Sequence, residues 1–317
     1  MFSLTVMRAF AIFAISNSHL RELHRYSFLS TGGMLGNTVF FFISGFGITL
    51  ALLAKPEPFS SWYQRRLFRI YEPLVLLTSL FLLIGYRTIT SGFDIVRLYV
   101  FPVEYWFIPA IAILYIPAYL FARNGSQTHF LAAAVALAVC YIFSYLTIID
   151  LERWNVEDHI LVKSIYYFST MICGVYIAKF HASFAPANKG FLLLTACTVL
   201  FFGFLFTMQK WKLYHIQWVA EFLALLWTLS FYLLLRNRSN IDWIKSKTTL
   251  ANGINFVGGI TLQMYLLGEF IFSQRALKLV PYPLNIAVFF VTLIASAWAL
   301  SKVSSSLFVG RVRLESS

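Results

Sequence analysis

The sequence predicts an all-α, polytopic integral membrane protein, and three observations carry that prediction. Of 317 residues, 59% are hydrophobic and only 12% are charged, against about 45–50% and about 25% in an ordinary soluble domain. Mean hydropathy is +0.74. Apolar stretches of about twenty residues, the length that crosses a bilayer, recur from one end of the chain to the other. With 25 basic and 13 acidic residues, a soluble chain of this size could not cover its surface. That excludes soluble enzymes, secreted disulfide scaffolds and disordered proteins.

Ten apolar runs, broken by charge or by Pro and Gly clusters, read as spans: 2–18, 34–54, 70–90, 105–122, 129–149, 160–180, 190–208, 216–235, 250–272 and 284–304. The first carries Arg8 and no small-residue cleavage site follows it, so it reads as a span and not as a signal peptide. Pro102, Pro109 and Pro117 predict a broken or re-entrant piece near 93–122. No internal repeat is visible, and the whole of 1–317 is expected to form a single transmembrane domain with no soluble second domain. With the N-terminus inside, 15 of the 25 Lys and Arg fall on the cytoplasmic side, Arg311 and Arg313 among them, and most loop acids fall outside. Both termini are therefore expected in the cytoplasm. The net charge of +12 reflects this bias, and no basic stripe suggests nucleic acid as a partner. Cys140, Cys173 and Cys197 lie in apolar runs without Cys-x-x-Cys or a His at ligand spacing, so neither a disulfide framework nor a metal site is expected.

An ionisable side chain inside a span is expensive, which makes each one a functional candidate. Arg8 and His19 stand eleven positions apart. On one continuous helix, eleven steps of about 100° return to within ~20° of the same face, with a rise of about 16 Å. The plainer alternative is an Arg snorkelling to the headgroups and a His at the opposite interface. A second constellation is Arg65, Arg66 and Arg69 in Trp62-Tyr-Gln-Arg-Arg-Leu-Phe-Arg-Ile-Tyr71. If helical, their spacing makes one cationic patch suited to phosphate oxygens; a topology-setting cluster at the lipid headgroups is the alternative. Glu221 and Glu269 also fall within spans and could pair with each other or with an Arg. Asn17, Asn37, Ser44 and Thr49 read as interhelical hydrogen-bonding groups. The glycines around 32–47 suggest close helix approach, and His24, His159 and His215 suggest solvated positions. No Walker-type loop and no Gly-x-Ser-x-Gly elbow is present.

These motifs, taken in order, resemble the membrane-bound acyltransferase-3 family, whose members acylate surface polysaccharides and other acceptors. Arg8 and His19 match its opening motif. Gly36-Asn-Thr-Val-Phe-Phe-Phe-Ile-Ser-Gly-Phe-Gly-Ile-Thr is similar to its second-helix motif around Ser44-Gly45-Phe46. The segment Arg65-Arg66-Leu-Phe-Arg69-Ile-Tyr resembles its Arg-rich stretch, and Tyr105-Trp106-Phe107 with Tyr115 its Trp-Phe region. Gly259-Ile-Thr-Leu-Gln-Met-Tyr265-Leu266 resembles a late motif, with Gly268 where a His is usual, and an extra Glu72 separates Tyr71 from Pro73.

The resemblance implies an O-acyltransferase of the plasma (bacterial inner) membrane. It would move an acyl group, acetyl by default, from cytoplasmic acyl-CoA to a hydroxyl of a surface or lipid-linked polysaccharide. Acetyl-CoA would be a co-substrate, with no permanently bound cofactor and no metal. Arg8, Arg65, Arg66 and Arg69 would bind the donor's phosphates, and His19 would be the general base or the acyl carrier. Asn37, Ser44, Tyr105, Trp106 and Glu269 would line the channel or hold the acceptor. The competing class is a transporter or flippase of lipid-linked sugars, which Pro-broken helices and intramembrane acids would also serve.

Overall fold

The computed structural model describes residues 2–181, 189–274 and 276–314. The side chains of Arg311 and Arg313, counted above in the charge bias, lie outside the described set. The described residues form helices and turns without a strand. In order they are α1 (Phe2–Ser18), α2 (Gly33–Ala54), α3 (Phe59–Leu83), α4 (Gly92–Ile95), α5 (Phe107–Asn124), α6 (Gln127–Ile148) and α7 (Ile160–Phe180). Then follow α8 (Gly190–Trp211), α9 (Trp218–Arg236), α10 (Arg238–Ser246), α11 (Thr248–Gly259), α12 (Thr261–Phe272), α13 (Ala276–Leu279) and α14 (Leu284–Leu314).

Seven of these helices are long and apolar enough to cross a membrane, or eight if α11 and α12, bent by 73° at their junction, count as one span. Each of the ten apolar runs meets a helix, but two fail the length and composition test for physical reasons. Helix α1 is short, and α3 carries Arg65, Arg66, Arg69 and Glu72. Helix α3 also begins eleven residues earlier than the predicted run 70–90. It stops at Leu83, where Gly85 takes a left-handed φ of 71°. The Pro-rich stretch is broken as expected. It holds the one-turn α4, a π-turn over Val96–Val100 and a 3-10 turn over Val103–Tyr105, and α5 then continues through Pro117.

The chain divides into two compact units. The first comprises Met1–Ala11, Gly32–Pro56 and Leu114–Asn255. Its centre is α2, packed on α7 and α9. Two glycines make the α2–α7 approach possible: a Cβ on Gly45 would overlap the Met171 carbonyl, 2.9 Å from its carbon, and one on Gly174 would overlap the Phe42 carbonyl, 3.0 Å from its carbon. Without a hydrophobic drive between helices in lipid, such close backbone packing is what holds them together. Gly47, by contrast, would meet nothing within 4 Å. Aromatic stacking of Phe41 on Tyr167 at 4.9 Å and a Thr38–Tyr166 hydroxyl pair at 2.8 Å complete the seam. Buried Gln217 clasps the preceding loop: its carbonyl accepts from the backbone of Asn155 and Val156, both at 2.9 Å. The start of α1 joins this unit through Phe10, stacked on Trp227 at 4.9 Å.

The second unit comprises Ile12–Thr31, Glu57–Ile113 and Phe256–Ser317. Here α3 packs on α12 and α14, and the Ser304 hydroxyl donates to Glu72 at 2.5 Å. That bond gives the extra Glu72 a partner inside the fold. Tyr63 and Tyr71 hydroxyls reach the carbonyls of Ala112 at 3.1 Å and Val100 at 2.9 Å, which holds the broken segment against α3.

Candidate functional site

The second unit gathers most of the residues singled out in the sequence. His19 occupies the turn that closes α1, its amide donating to the Ser16 carbonyl at 3.3 Å. The helix therefore ends one residue before His19. The turn itself is clasped. The Asn17 amide donates to the carbonyls of Leu29 at 2.6 Å and Thr31 at 3.1 Å, and its oxygen pairs with His24 Nε2 at 2.9 Å. Further along the same loop, Asn285 donates to the Leu23 carbonyl at 2.9 Å and Lys278 pairs with Glu22 at 2.5 Å. Asn17 thus holds a loop where an interhelical bond was expected, and half-buried His24 belongs to the clasp and not to solvent. Burial lowers the His24 pKa.

The His19 ring is accessible, yet enough protein surrounds it that desolvation lowers its pKa below the ordinary imidazole value. Glu269 of α12 acts on it in the opposite sense, favouring the imidazolium. Among the described residues no hydrogen bond engages the ring. The result is an exposed His19 biased towards its neutral form and within electrostatic reach of Glu269, which suits a general base. Glu269 is also close enough to interact electrostatically with Tyr105 and Tyr265. Tyr105 is buried, which raises its pKa, and its hydroxyl donates to the Leu266 carbonyl at 3.0 Å. The Tyr105 and Tyr265 rings lie 6.1 Å apart, and Arg87 pairs with Glu104 alongside. Half-buried Trp106 packs edge-on against Phe107 at 6.3 Å. At Gly268, where the resembled family usually has His, a Cβ would meet nothing within 4 Å.

The three arginines sit on the first turns of α3, inside a helix and not in a loop. Arg65 pairs with Glu57, Arg66 lies over the Trp62 ring at 5.6 Å, and Arg69 is exposed one turn beyond Arg65. Glu57 thus already neutralises one of the three cations.

Arg8, Asn37 and Ser44 belong to the first unit. Asn37 and Ser44, two turns apart, share the half-buried face of α2 with Phe40 and Gly47. Arg8 is exposed and stands one turn along α1 from Leu4. Leu4 lines a cavity of ≈ 590 Å³ that the sequence reading missed. Its other walls include Arg236, Arg238, Asp242 and Lys245, with Phe46 and Tyr232 5.2 Å apart beside them. Lys245 Nζ lies 5.7 Å over the Phe2 ring, and Arg236 donates to the His181 carbonyl at 3.3 Å. The sequence signal was there: Arg238, Asp242 and Lys245 recur at i, i+4 and i+7 on α10. Glu221, also in this unit, accepts from the Tyr141 hydroxyl and is not seen paired with an Arg.

No curated protein matches the chain, and no solved structure does. A family model described as an acyltransferase domain matches residues 1–302. That stretch includes His19 and its clasp, the α3 arginines, the late motif and the cationic cavity, and the match lends the transporter alternative no support. With an all-helical membrane fold and this match over nearly its whole length, the chain belongs to the acyltransferase-3 family and is a membrane acyltransferase.

Proposed function

We propose that the protein transfers an acetyl group from acetyl-CoA to a hydroxyl of a surface or lipid-linked glycan in the bacterial inner membrane, with His19 as general base. The observation that carries this reading is the His19 ring itself: accessible, free of hydrogen bonds to other described residues, lowered in pKa by its surroundings, and beside Glu269. In the proposed step His19 removes the proton of the acceptor hydroxyl as its oxygen attacks the thioester carbonyl. The imidazolium so formed is stabilised by the Glu269 carboxylate. Collapse of the tetrahedral intermediate breaks the carbon–sulfur bond, and the departing thiolate takes the proton to leave as free coenzyme A. Tyr105 and Trp106 supply the acceptor's aromatic surface in this reading.

The donor's phosphates need cations, and guanidinium forks suit them. The cavity bearing Arg236, Arg238 and Lys245 supports a nucleotide end, since Phe46 and Tyr232 offer rings for a base to pack on. Arg8, one turn along α1 from Leu4 of that cavity, is proposed as a further phosphate contact; Arg66 and Arg69 are the alternative phosphate site, with Arg65 engaged by Glu57.

The test is transfer of labelled acetyl groups from acetyl-CoA into the glycan fraction of membranes, at matched protein levels. General-base removal costs about 10²–10⁴ in rate, so His19→Ala should abolish detectable transfer while coenzyme A still binds. Transfer retained within a few-fold in His19→Ala would overturn the assignment of the base. Failure of the wild type both to transfer label and to bind coenzyme A would overturn the donor.

A further inference from the structure

A second cavity of the first unit plays no part in the reaction proposed above. It is a groove of ≈ 860 Å³ between α6, α7 and α9, within the range of small-molecule and lipid sites. Helix α6 lines it along almost its full length, from Gln127 to Leu146. At 1.5 Å per residue that is about 28 Å, close to the ~30 Å hydrocarbon thickness of a bilayer. Helix α6 is also poorly covered, with 11% of its span window buried, so the groove opens towards lipid.

The groove has a head and a tail. At the start of α9 it meets Glu221, which is 2% exposed. One carboxyl oxygen of Glu221 accepts from the Tyr141 hydroxyl; the other, Oε1, is buried without a hydrogen-bond partner. Tyr145, His215 and Trp218 line the same end. Towards Gln127 the wall is chiefly aliphatic and Phe: Phe130, Leu131, Ala134 and Leu137. Among the described residues no Lys or Arg lines the groove, so nothing there recommends a net anionic head. A buried carboxyl oxygen without a donor is costly to leave so, and an ammonium brought to it would supply both the missing hydrogen bond and the counter-charge that lets the carboxyl ionise.

We propose that this groove is a binding site for a phospholipid with an ammonium head, its acyl chain laid along α6 and its ammonium hydrogen-bonded to Glu221 Oε1. The assignment does not depend on which donor or acceptor the enzyme uses.

Photo-crosslinking of the full-length protein in phosphatidylcholine vesicles tests it. The vesicles carry a trace of phosphatidylethanolamine or phosphatidylglycerol with a diazirine in the acyl chain, and labelled peptides are mapped by mass spectrometry. The phosphatidylethanolamine probe should label residues 127–146 at least about five-fold more than the phosphatidylglycerol probe. Glu221→Leu should reduce that label about five-fold, to the level of the phosphatidylglycerol probe. Because a core variant can fail to fold, Ala138→Phe, which fills the groove from its wall, provides a second reading and should also remove the label. Equal labelling by the two probes, label spread evenly over the spans as from bulk lipid, or label untouched by either folded variant would overturn the proposal. So would protection of residues 127–146 by a second copy of the chain.

Discussion

The glycines of α2 give the sharpest test of how the first unit is held together, because two of them, two residues apart, face different surroundings. A Cβ on Gly45 would overlap the Met171 carbonyl and stand 2.9 Å from its carbon, where ordinary contact begins at 3.4 Å. Helix α7 would therefore have to retreat by at least half an ångström, and by more to clear the oxygen. The obstacle is backbone and not the end of a flexible side chain, so local rotamer changes cannot relieve it. Overpacking of this kind costs about 1–3 kcal/mol, and the retreat would also loosen the Thr38–Tyr166 and Phe41–Tyr167 contacts of the same seam. At Gly47 a Cβ would meet nothing within 4 Å, so Gly47→Ala should gain up to about 1 kcal/mol from helix propensity. Because helix propensity favours Ala at both positions alike, the two substitutions should differ by the overpacking cost alone, about 1–3 kcal/mol in unfolding free energy, a factor of roughly 5 to 140 in the equilibrium constant at about 1.4 kcal/mol per tenfold. Thermal or denaturant unfolding of detergent-purified protein, followed by tryptophan fluorescence, would measure it. Equal stability of Gly45→Ala and Gly47→Ala would refute the close-packed α2–α7 seam, and Gly174→Ala, approached from the other helix, should behave like Gly45→Ala.

Transfer should depend on a neutral His19. Its pKa is lowered by burial, so the rate should be intact at neutral pH and be lost as pH falls through a midpoint below about 6.5. Because Glu269 raises the His19 pKa, Glu269→Gln should move that acidic limb to still lower pH; a limb that moves upward or stays in place would contradict the pairing. Asn17→Ala frees the loop that Asn17 clasps through Leu29 and Thr31. A misplacement of about 1 Å can cost about 10²-fold, so kcat should fall by about ten- to a hundred-fold with coenzyme A affinity unchanged within about two-fold, read by steady-state kinetics and equilibrium binding. For the donor, charge-removing changes at Arg238 and Lys245 should weaken coenzyme A binding by about ten-fold and reduce its salt dependence. Loss confined to Arg66 and Arg69 variants would move the phosphates to α3.

Much of the fold was legible one stretch at a time. Hydropathy is a local property of the chain, so the ten apolar runs met ten helical stretches, and the segment before Trp106 is broken around Pro102, whereas Pro109 and Pro117 are accommodated within α5. Helix ends were less legible. The charges of α3 concealed eleven helical residues, since a hydropathy reading starts a span only where charge stops. Helix α1 ended at Ser18 because Asn17 turns its amide to the carbonyls of Leu29 and Thr31, partners twelve and fourteen residues away that no periodicity reveals.

The candidate site divides in the same way. Arg8, His19 and the α3 arginines stood out in the sequence because charge inside an apolar run is expensive wherever it falls. Their surroundings did not. That Glu269 acts electrostatically on His19, that Tyr105 bonds the Leu266 carbonyl 161 residues away, and that Glu221 meets Tyr141 and leaves one oxygen bare depend on which parts of the chain meet. Lipid-facing and protein-facing apolar surfaces are composed alike. The sequence by itself determined an all-helical membrane protein and its family, while only the tertiary structure decided which costly polar groups share a unit, which are already partnered, and which are left to a ligand.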